Sequence, residues 1–278
     1  MFILPEADYY RVRSKLNDID FNTYFAEAVL DGNASGIVYV DDFNFPQVVY
    51  IVHSYGMSLL FGDYANIEFN QWLKCLWLSP NFECDEYLLV YPAQWESTLA
   101  TLLEDKLVGC ESDAEYIEQA KVIQHVRVNF KFNPELYNLY LISIDWLQHN
   151  VREFGYSEFD QFHGSVVPGL FWRNEKVFAK YAKAYAIYRD QKIAAVSFTS
   201  CRNQRILELG IETNQKFRGE GLAKIVCAKL INYALEHNLE PVWACRKGNL
   251  GSYNLALSLG FEVARELAYY QIKKSVIK

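Results

Sequence analysis

The stretch ETNQKFRGEGLAKIVCAKL, residues 212–230, decides the fold of the second half of this chain. It joins a strand-like run to a long helix in which apolar residues recur in pairs every four positions, the first pair being Leu222 and Ala223. The first turn of this helix contains Gly221 and no proline, so several N–H groups are free at the helix N-terminus. Those N–H groups and the helix dipole favour the same kind of ligand, an anion.

The loop before this helix has two further features that suit an anion. Gly219 and Gly221 allow a close approach that a Cβ would block, and Arg218 adds a permanent charge with a bidentate fork. The loop lacks both the G-x-G-x-x-G spacing and the G-K-[ST] ending of the common nucleotide loops. What remains is Arg-x-x-Gly-x-Ala, for which a plain structural turn is the alternative interpretation.

The composition indicates a globular protein of a reducing cytoplasm. Of the 278 residues 51% are hydrophobic, and the length suffices for two domains. No apolar run reaches the ~18 residues of a membrane span, and the opening MFILPEADYYRVR lacks the features of a signal peptide. The six cysteines form no C-x-x-C pair and the five histidines are dispersed. We therefore expect a cytoplasmic protein with no membrane partner and no metal ion.

The net charge of −7 is unevenly divided along the chain. Residues 1–133 hold 8 Lys and Arg against 20 Asp and Glu, whereas residues 134–278 hold 19 against 14. An acidic first half argues against nucleic acid as the main partner. A basic second half suits a small anionic ligand, although the asymmetry could also serve solubility alone.

Helices and strands are mixed along both halves, which predicts an α/β fold. The elements expected in the first half are helices at 19–30, 65–77 and 93–105 and strands at 36–40, 48–53, 57–62, 86–91 and 122–131. Those expected in the second half are a helix at 174–183, strands at 184–189, 192–199 and 206–213, the long helix, a strand at 241–247, a helix at 249–259 and a strand from Phe261. KFNPEL, around Pro134, predicts a boundary between a smaller mixed α/β domain, 1–133, and a second domain, 134–278.

From Arg218 to Ala223 the loop resembles the acyl-CoA loop Q/R-x-x-G-x-G/A of the Gcn5-related N-acetyltransferase (GNAT) family. The likeness covers about residues 184–265 and includes LELGIET at 207–213, PVWACRK at 241–247 and NLGSYNLALSLGF at 249–261. These stretches resemble the fourth strand, the fifth strand and the closing helix of that family. GIVYVDD at 36–42 and the SLGF ending also resemble a subgroup that includes the zwittermicin-resistance acetyltransferases, in which a less typical N-terminal domain precedes the transferase domain.

The resemblance implies a fold in which the fourth and fifth strands splay apart and hold acyl-CoA between them. The pantetheine arm would then pair with the backbone of the fourth strand, and the pyrophosphate would lie on the N–H groups of the glycine loop. The expected acyl-CoA residues are Ile211, Thr213, Arg218, Gly219, Glu220, Gly221, Leu222, Ala223, Asn249 and Ser252. For Asn249, a purely structural helix cap is an equally good interpretation.

Acyl transfer to an amine needs a group that removes the proton of the amine. Glu208 and Glu212 are the candidate bases, and they share one face of the strand unless a bulge at Gly210 separates them. Glu208 is nearer the position of the family's catalytic glutamate, and Glu212 is nearer the expected thioester. Many family members place a tyrosine seven residues after the asparagine of the last helix, as the acid for the leaving thiolate. Here that position is Ala256, which leaves the protonation of the thiolate unassigned.

The function predicted from these features is transfer of an acetyl group from acetyl-CoA to a primary amine of a polar small molecule. Two alternatives stay open: an acetyltransferase for a protein lysine or N-terminus, and a non-catalytic acyl-CoA-binding regulatory module. The first domain, which could be a degenerate copy of the GNAT fold, is expected to act as a substrate lid. Its acidic side chains would attract a cationic amine. An oligomer is possible.

Overall fold

The computed structural model describes residues 1–141, 150–155, 158–159 and 164–275. The chain divides into two compact units. The first unit comprises Met1–Arg127, Arg246–Gly248 and Glu266–Lys278, and the second comprises Val128–Cys245 and Asn249–Arg265. The fold is α/β, as the sequence predicts. In the described part of the chain, none of the helices is both long and apolar enough to cross a membrane.

The first unit contains a sheet with helices between its strands. Its elements are β1 (Phe2–Ile3), α1 (Tyr10–Arg13), α2 (Tyr24–Leu30), β2 (Gly36–Val40), β3 (Val48–His53), β4 (Met57–Gly62), α3 (Ile67–Leu78), β5 (Glu86–Tyr91), α4 (Gln94–Leu103), β6 (Leu107–Gly109), α5 (Ala114–Gln119) and the first residues of β7 (Val122–Phe132). The indoles of Trp77 and Trp95 are fully buried in a core that α3 and α4 form with the sheet. This burial gives the unit a hydrophobic core of its own.

The second unit begins with the remainder of β7. Its further elements are α6 (Pro134–Leu141), β8 (Val151–Glu153), α7 (Pro168–Phe171), α8 (Glu175–Tyr181), β9 (Ala184–Arg189), β10 (Lys192–Arg202), β11 (Ile206–Thr213), α9 (Leu222–Glu236), β12 (Glu240–Arg246), α10 (Leu250–Ser258) and β13 (Phe261–Ile272), of which the last residues belong to the first unit. The predicted apolar stripe of α9 is buried against β11 and β12 together with Leu207, Leu209 and Trp243, except that Ala223 is half-buried and Leu235 is exposed. Helix α9 is therefore fixed by packing as well as by its sequence pattern.

Among the described residues, the two units repeat one order of elements. From β1 to α4, and again from β8 to α10, the order is β-α-α-β-β-β-α-β-α. Strand pairing repeats as well. In the first unit, β1 to β4 are consecutive antiparallel neighbours and β4 is parallel to β5. In the second unit, β8 to β11 are consecutive antiparallel neighbours and β11 is parallel to β12. The first unit thus has the same local topology as the second.

The two copies differ where the parallel strands meet. In the first unit, β4 and β5 stay paired from Met57 with Tyr87 to Phe61 with Tyr91. In the second unit, β11 and β12 pair only from Ile206 with Glu240 to Glu208 with Val242, although both strands continue. The predicted splay is therefore present in the second unit, and it begins directly after Glu208.

Most predicted strands match the structure, whereas several helices are shorter than predicted, such as α4, predicted at 93–105 and observed at Gln94–Leu103. The strands predicted at 36–40, 48–53, 57–62, 86–91, 184–189 and 206–213 have the observed bounds. The helix predicted at 19–30 begins only at Tyr24, because the side chain of Asn22 accepts the N–H of Tyr24 at 3.0 Å in a local turn. The helix predicted at 174–183 begins after Asn174, whose side chain caps it through the N–H groups of Lys176 and Val177.

Candidate active site

The open edge of β11 forms one wall of the candidate site. Beyond Glu208 the strand remains paired with β10, with Gly210 opposite Phe198 and Thr213 opposite Ala195. On its other side, among the described residues, no strand pairs with residues 209–213. A peptide-like arm can therefore pair with this edge as an added strand would.

The loop between β11 and α9 is held by its own side chains. Asn214 accepts the N–H of Lys216 at 3.1 Å, and Arg218 donates from Nε to the carbonyl of Thr213 at 3.2 Å. Gly219 and Gly221 have φ of 87° and 76°, in the left-handed region that favours glycine. A Cβ built on either glycine would have no atom within 4 Å. The glycines therefore serve the backbone conformation and leave the space above the loop open.

The N-terminus of α9 presents free N–H donors. Gly221 is the N-cap and provides no side-chain hydrogen bond, and the first amide with an acceptor is that of Lys224, which bonds the carbonyl of Gly221 at 3.1 Å. Between residues 219 and 223, no amide has a hydrogen-bond acceptor within the described ranges. Aligned free donors at the end of a helix of 15 residues are able to bind an anion.

The two residues predicted on the closing helix are engaged with the protein itself. Asn249 caps α10 by accepting the N–H of Ser252 at 3.2 Å. The hydroxyl of Ser252 accepts the indole N–H of Trp243 at 3.1 Å. Ala256, at the family's tyrosine position, is fully buried, and Tyr253 packs edge-on against Phe130 with ring centroids 5.5 Å apart. The ring of Tyr253 therefore packs against the core of the second unit.

Glu208 and Glu212 lie on the same face of β11. The bulge considered at Gly210 is absent there: the register irregularity lies on β10, between Thr199 and Cys201. Gly210 is required for packing, because a Cβ at this position would lie 2.5 Å from the ring of Phe198. Since Gly210 separates the two glutamates along the strand, the Phe198 ring lies between their side chains.

The two glutamates have different environments. Glu208 is 8% exposed at the point where β11 and β12 diverge. Glu212 Oε2 accepts the N–H and Oγ–H of Ser165 at 3.1 and 2.8 Å and the N–H of Val166 at 2.9 Å. Its Oε1 lies 3.6 Å from Nη2 of Arg218. Glu212 thus joins the segment at 164–166 to the strand and to the arginine of the glycine loop.

Sequence reasoning missed the segment at 164–166. Ser165 and Val166 belong to no recognisable motif, and their role depends on a carboxylate 46 or 47 positions later in the chain. Gly164 lies close to the same glutamate, since an added Cβ would be 3.1 Å from Glu212 Cγ. In the sequence, only the glycine at position 164, next to Ser165, indicates that another residue packs closely against this segment.

Comparisons with known proteins agree with this geometry. A family model described as GNAT acetyltransferase matches residues 15–270. The chain therefore belongs to the GNAT acetyltransferase family, and it is an acyl-CoA-dependent N-acetyltransferase. This family uses acetyl-CoA as its donor.

Similar proteins share the whole length of the chain. The uncharacterized N-acetyltransferase YdfB of Bacillus subtilis (strain 168) is 23% identical, with 96% of this chain and 97% of that protein covered. A solved GCN5-related N-acetyltransferase-like protein from Streptococcus suis has a TM-score of 0.69 at 17% identity, covering 96% of this chain and 99% of the other. A tandem GNAT protein from the clavulanic acid biosynthesis pathway has a TM-score of 0.60 at 9% identity, covering 99% and 98%. These structures are similar in fold over both units.

Proposed function

We propose that this protein transfers the acetyl group of acetyl-CoA to a primary amine of a polar small molecule by direct attack. The observation that carries the proposal is the open edge of β11 beside the free N–H groups of α9. The pyrophosphate would bind the N–H groups of Gly219, Glu220, Gly221, Leu222 and Ala223, with Arg218 beside it. The pantetheine arm would pair along β11 at Ile211 and Thr213, and Asn249 and Ser252 would contribute from α10.

The transfer forms one bond and breaks another. The amine nitrogen attacks the thioester carbonyl carbon, the C–N bond forms, and the C–S bond breaks with the electron pair on sulfur. The amine loses a proton to a base, and the thiolate takes up a proton from water. We assign the base role to Glu208, because it lies where the strands separate and is shielded from bulk water.

For Glu212 we propose positioning in place of proton transfer. Its Oε2 already accepts three hydrogen bonds from Ser165 and Val166, so this oxygen is engaged in holding the segment at 164–166. Holding the segment at 164–166 against β11 would fix one side of the space where an acceptor amine approaches. The pH–rate profile of a Glu212 variant distinguishes this positioning role from the alternative in which Glu212 is the base.

Glu212→Gln is expected to raise the KM for the amine severalfold while the shape of the pH–rate profile stays unchanged. The variant removes the charge that strengthens the three hydrogen bonds, whereas the proposed proton acceptor, Glu208, stays in place. Ser165→Ala removes one of the same donors, so the double variant should be less impaired than the sum of the two singles. Glu236→Gln is the control, because Glu236 is an exposed carboxylate at the end of α9. A pH profile that loses its acidic limb in Glu212→Gln would instead make Glu212 the base.

We infer that the described residues of the first unit form no equivalent acyl-CoA site. Its strands β4 and β5 remain paired to Phe61 and Tyr91, so no open edge exists there. The N–H of Phe69 at the start of α3 is capped by the side chain of Asn66 at 3.0 Å. The indole of Trp95 donates to the carbonyl of Gly62 at 3.2 Å, which joins α4 to the end of β4. We therefore assign acyl-CoA binding to the second unit alone.

One acyl-CoA is expected to bind per chain. Isothermal titration calorimetry with acetyl-CoA checks the stoichiometry, with the protein concentration fixed independently from its six tryptophans. Gly221→Val should weaken this binding by about 100-fold or more and should leave no second site of wild-type affinity. Two equivalents per chain, or a site that survives Gly221→Val, would contradict the assignment to the second unit.

The acceptor class rests on charge. The first unit holds 12 Lys and Arg against 21 Asp and Glu, a net charge of −9, and the second holds 15 against 13, a net charge of +2. An acidic unit attracts an amine, which is cationic at neutral pH. This supports a polar amine as the acceptor. The lid role of the first unit and the likeness to zwittermicin-resistance acetyltransferases stay predictions.

A screen of amine acceptors tests the proposed function. CoA release from acetyl-CoA would be followed with a thiol-reactive dye for polar small amines, lysine peptides, peptides with free N-termini and a no-acceptor control. Release with polar small amines alone supports the proposal. Release with peptides alone would favour protein acetylation. Binding of acetyl-CoA without release for any acceptor would favour a regulatory module.

A further inference from the structure

Arg127, which forms no ion pair with any described residue, lies on one face of the sheet in the first unit. Nη1 of Arg127 is 3.9 Å from Sδ of Met57, and its guanidinium carbon lies 5.4 Å from the ring centre of Tyr269. The Tyr269 hydroxyl also contacts Sδ of Met57, at 3.3 Å. Tyr269 stacks on Tyr87, with ring centroids 5.8 Å apart and an interplanar angle of 17°.

None of these neighbours compensates the charge of Arg127. Its Nε is fully buried and has no hydrogen-bond acceptor, and no carboxylate of the described residues forms an ion pair with it. A thioether and an aromatic ring are weak partners for a guanidinium. Buried charges in proteins are ordinarily paired, and an unsatisfied buried donor costs stability. Arg127 is therefore an unfavourable residue for the protein by itself.

A second arginine adds to the positive field of the same face. Arg246 precedes Lys247, whose N–H donates to the carbonyl of Val126 at 2.8 Å, so Arg246 lies on the strand beside Arg127. Its charge acts to lower the pKa of Tyr87 and Tyr269. Burial raises the pKa of Tyr269 to about 12, and the charges of Arg127 and Arg246 act in the opposite direction. Burial lowers the pKa of His125, its hydrogen bond with Gln271 acts against this, and Arg246 lowers the pKa further.

Asp85 is a carboxylate whose charge acts on Tyr87, and both of its oxygens already accept hydrogen bonds. Asp85 accepts the side-chain N–H of Gln271 at 3.2 Å and the backbone N–H of Lys274 at 2.8 Å. It raises the pKa of Tyr87, so it acts on the stacked rings and not on Arg127 as an ion-pair partner. Among the described residues, neither Arg127 nor Arg246 forms an ion pair with a carboxylate.

We propose that Arg127, with Arg246 and the stacked rings of Tyr87 and Tyr269, forms a binding site for an oxyanion carried on a flat organic group. The guanidinium fork pairs with a carboxylate or phosphate through two parallel hydrogen bonds. The ring of Tyr87, which is half-buried and stacks on the buried ring of Tyr269, offers an apolar surface against which a planar group can lie. The site is distinct from the N-terminus of α9, because its residues all belong to the first unit. It does not depend on the proposed acetyl transfer.

Methyl NMR of methionine gives a local readout, because the chain has two methionines and Met57 contacts both Arg127 and Tyr269. Protein labelled with ¹³C at the methionine methyls would be titrated separately with benzoate, inorganic phosphate and neutral benzamide. Met57→Leu assigns the signal. We expect benzoate to shift the Met57 methyl resonance and benzamide to leave it in place. Phosphate bound at α9 would leave this resonance unchanged, so a shift by phosphate alone assigns the site to free phosphate.

Variants separate this site from a structural arginine. Arg127→Leu should weaken benzoate binding about tenfold or more, and Arg127→Lys should restore only part of it. Arg11→Leu is the matched control, because Arg11 also lies over an aromatic ring but is paired with Asp8 at 2.9 Å. Without ligand, Arg127→Leu should melt at the same temperature as the wild type or higher, since it removes an uncompensated charge.

Two results would overturn the proposal. One is an unchanged Met57 resonance with both benzoate and phosphate. The other is an anion response that persists unchanged in Arg127→Leu. A fall in the melting temperature of Arg127→Leu together with no anion response in the wild type would assign Arg127 to structure alone.

Discussion

Glu208→Gln is expected to lower kcat by about 10²–10⁴-fold while the affinity for acetyl-CoA is retained, which is the range for loss of a general base. Glutamine has nearly the same shape but cannot accept a proton. Glu208 is buried where β11 and β12 diverge, so few water molecules can replace it as the acceptor. Steady-state kinetics and calorimetry on the same preparations separate the loss in rate from any loss in binding.

The pH dependence makes the test of Glu208 specific. The loss should shrink as the pH rises toward about 9, because a growing fraction of the amine is then already neutral and needs no base. Glu240→Gln is the matched control, since Glu240 is exposed and lies at the paired end of β12. Full activity of Glu208→Gln from about pH 6 to 9 would exclude it as the base. A water chain, or an amine that binds neutral, would then be the better account.

The second unit was predictable from its sequence because its local signals agree with its packing. The strand at 206–213, the glycine loop and the apolar pairs of α9 each specify one structure, and the splay follows from the family resemblance. The register irregularity on β10 was not predictable, because neither Thr199 nor Ser200 carries a sequence signal for a bulge. The glycine at position 210 suggested a bulge on β11, but Gly210 is needed because a Cβ there would collide with the Phe198 ring.

The topology of the first unit was only partly predictable. Its strands were located correctly, but the sequence reveals no glycine loop there, and Asn66 caps α3 where the second unit has Gly221. The start of α3 needs no free N–H groups if it binds no anion, so the glycine loop is not needed there. Without that loop, the sequence does not show that the first unit repeats the topology of the second. The assignment of Glu266–Lys278 to the first unit depends on long-range pairing such as Tyr270 with Leu88. A local pattern cannot encode such pairing.

Gly221→Val is expected to weaken acetyl-CoA binding by about 100-fold or more, the largest effect predicted for the loop. The backbone of Gly221 has φ of 76°, a conformation that costs a β-branched residue about 1–3 kcal/mol. The added side chain would also stand in the open space that the anion must enter, where a Cβ now meets no protein atom. Backbone strain at position 221 therefore raises the free energy of both the free and the bound protein. The obstructing side chain raises only that of the bound protein, and so weakens the affinity.

Two comparisons separate these causes. Gly32→Val carries the same kind of strain, since Gly32 has φ of 71°, but it lies in the first unit after α2 and should leave acetyl-CoA affinity unchanged. Arg218→Ala should cost about 1.5–3 kcal/mol, or roughly ten- to a hundredfold in affinity, as one charge-assisted contact is lost. Circular dichroism would confirm that each variant folds, and calorimetry with acetyl-CoA would give the affinities. If folded Gly221→Val and Arg218→Ala both bind like the wild type, the pyrophosphate does not lie at the start of α9. The open edge of β11 would then have to hold the donor without it.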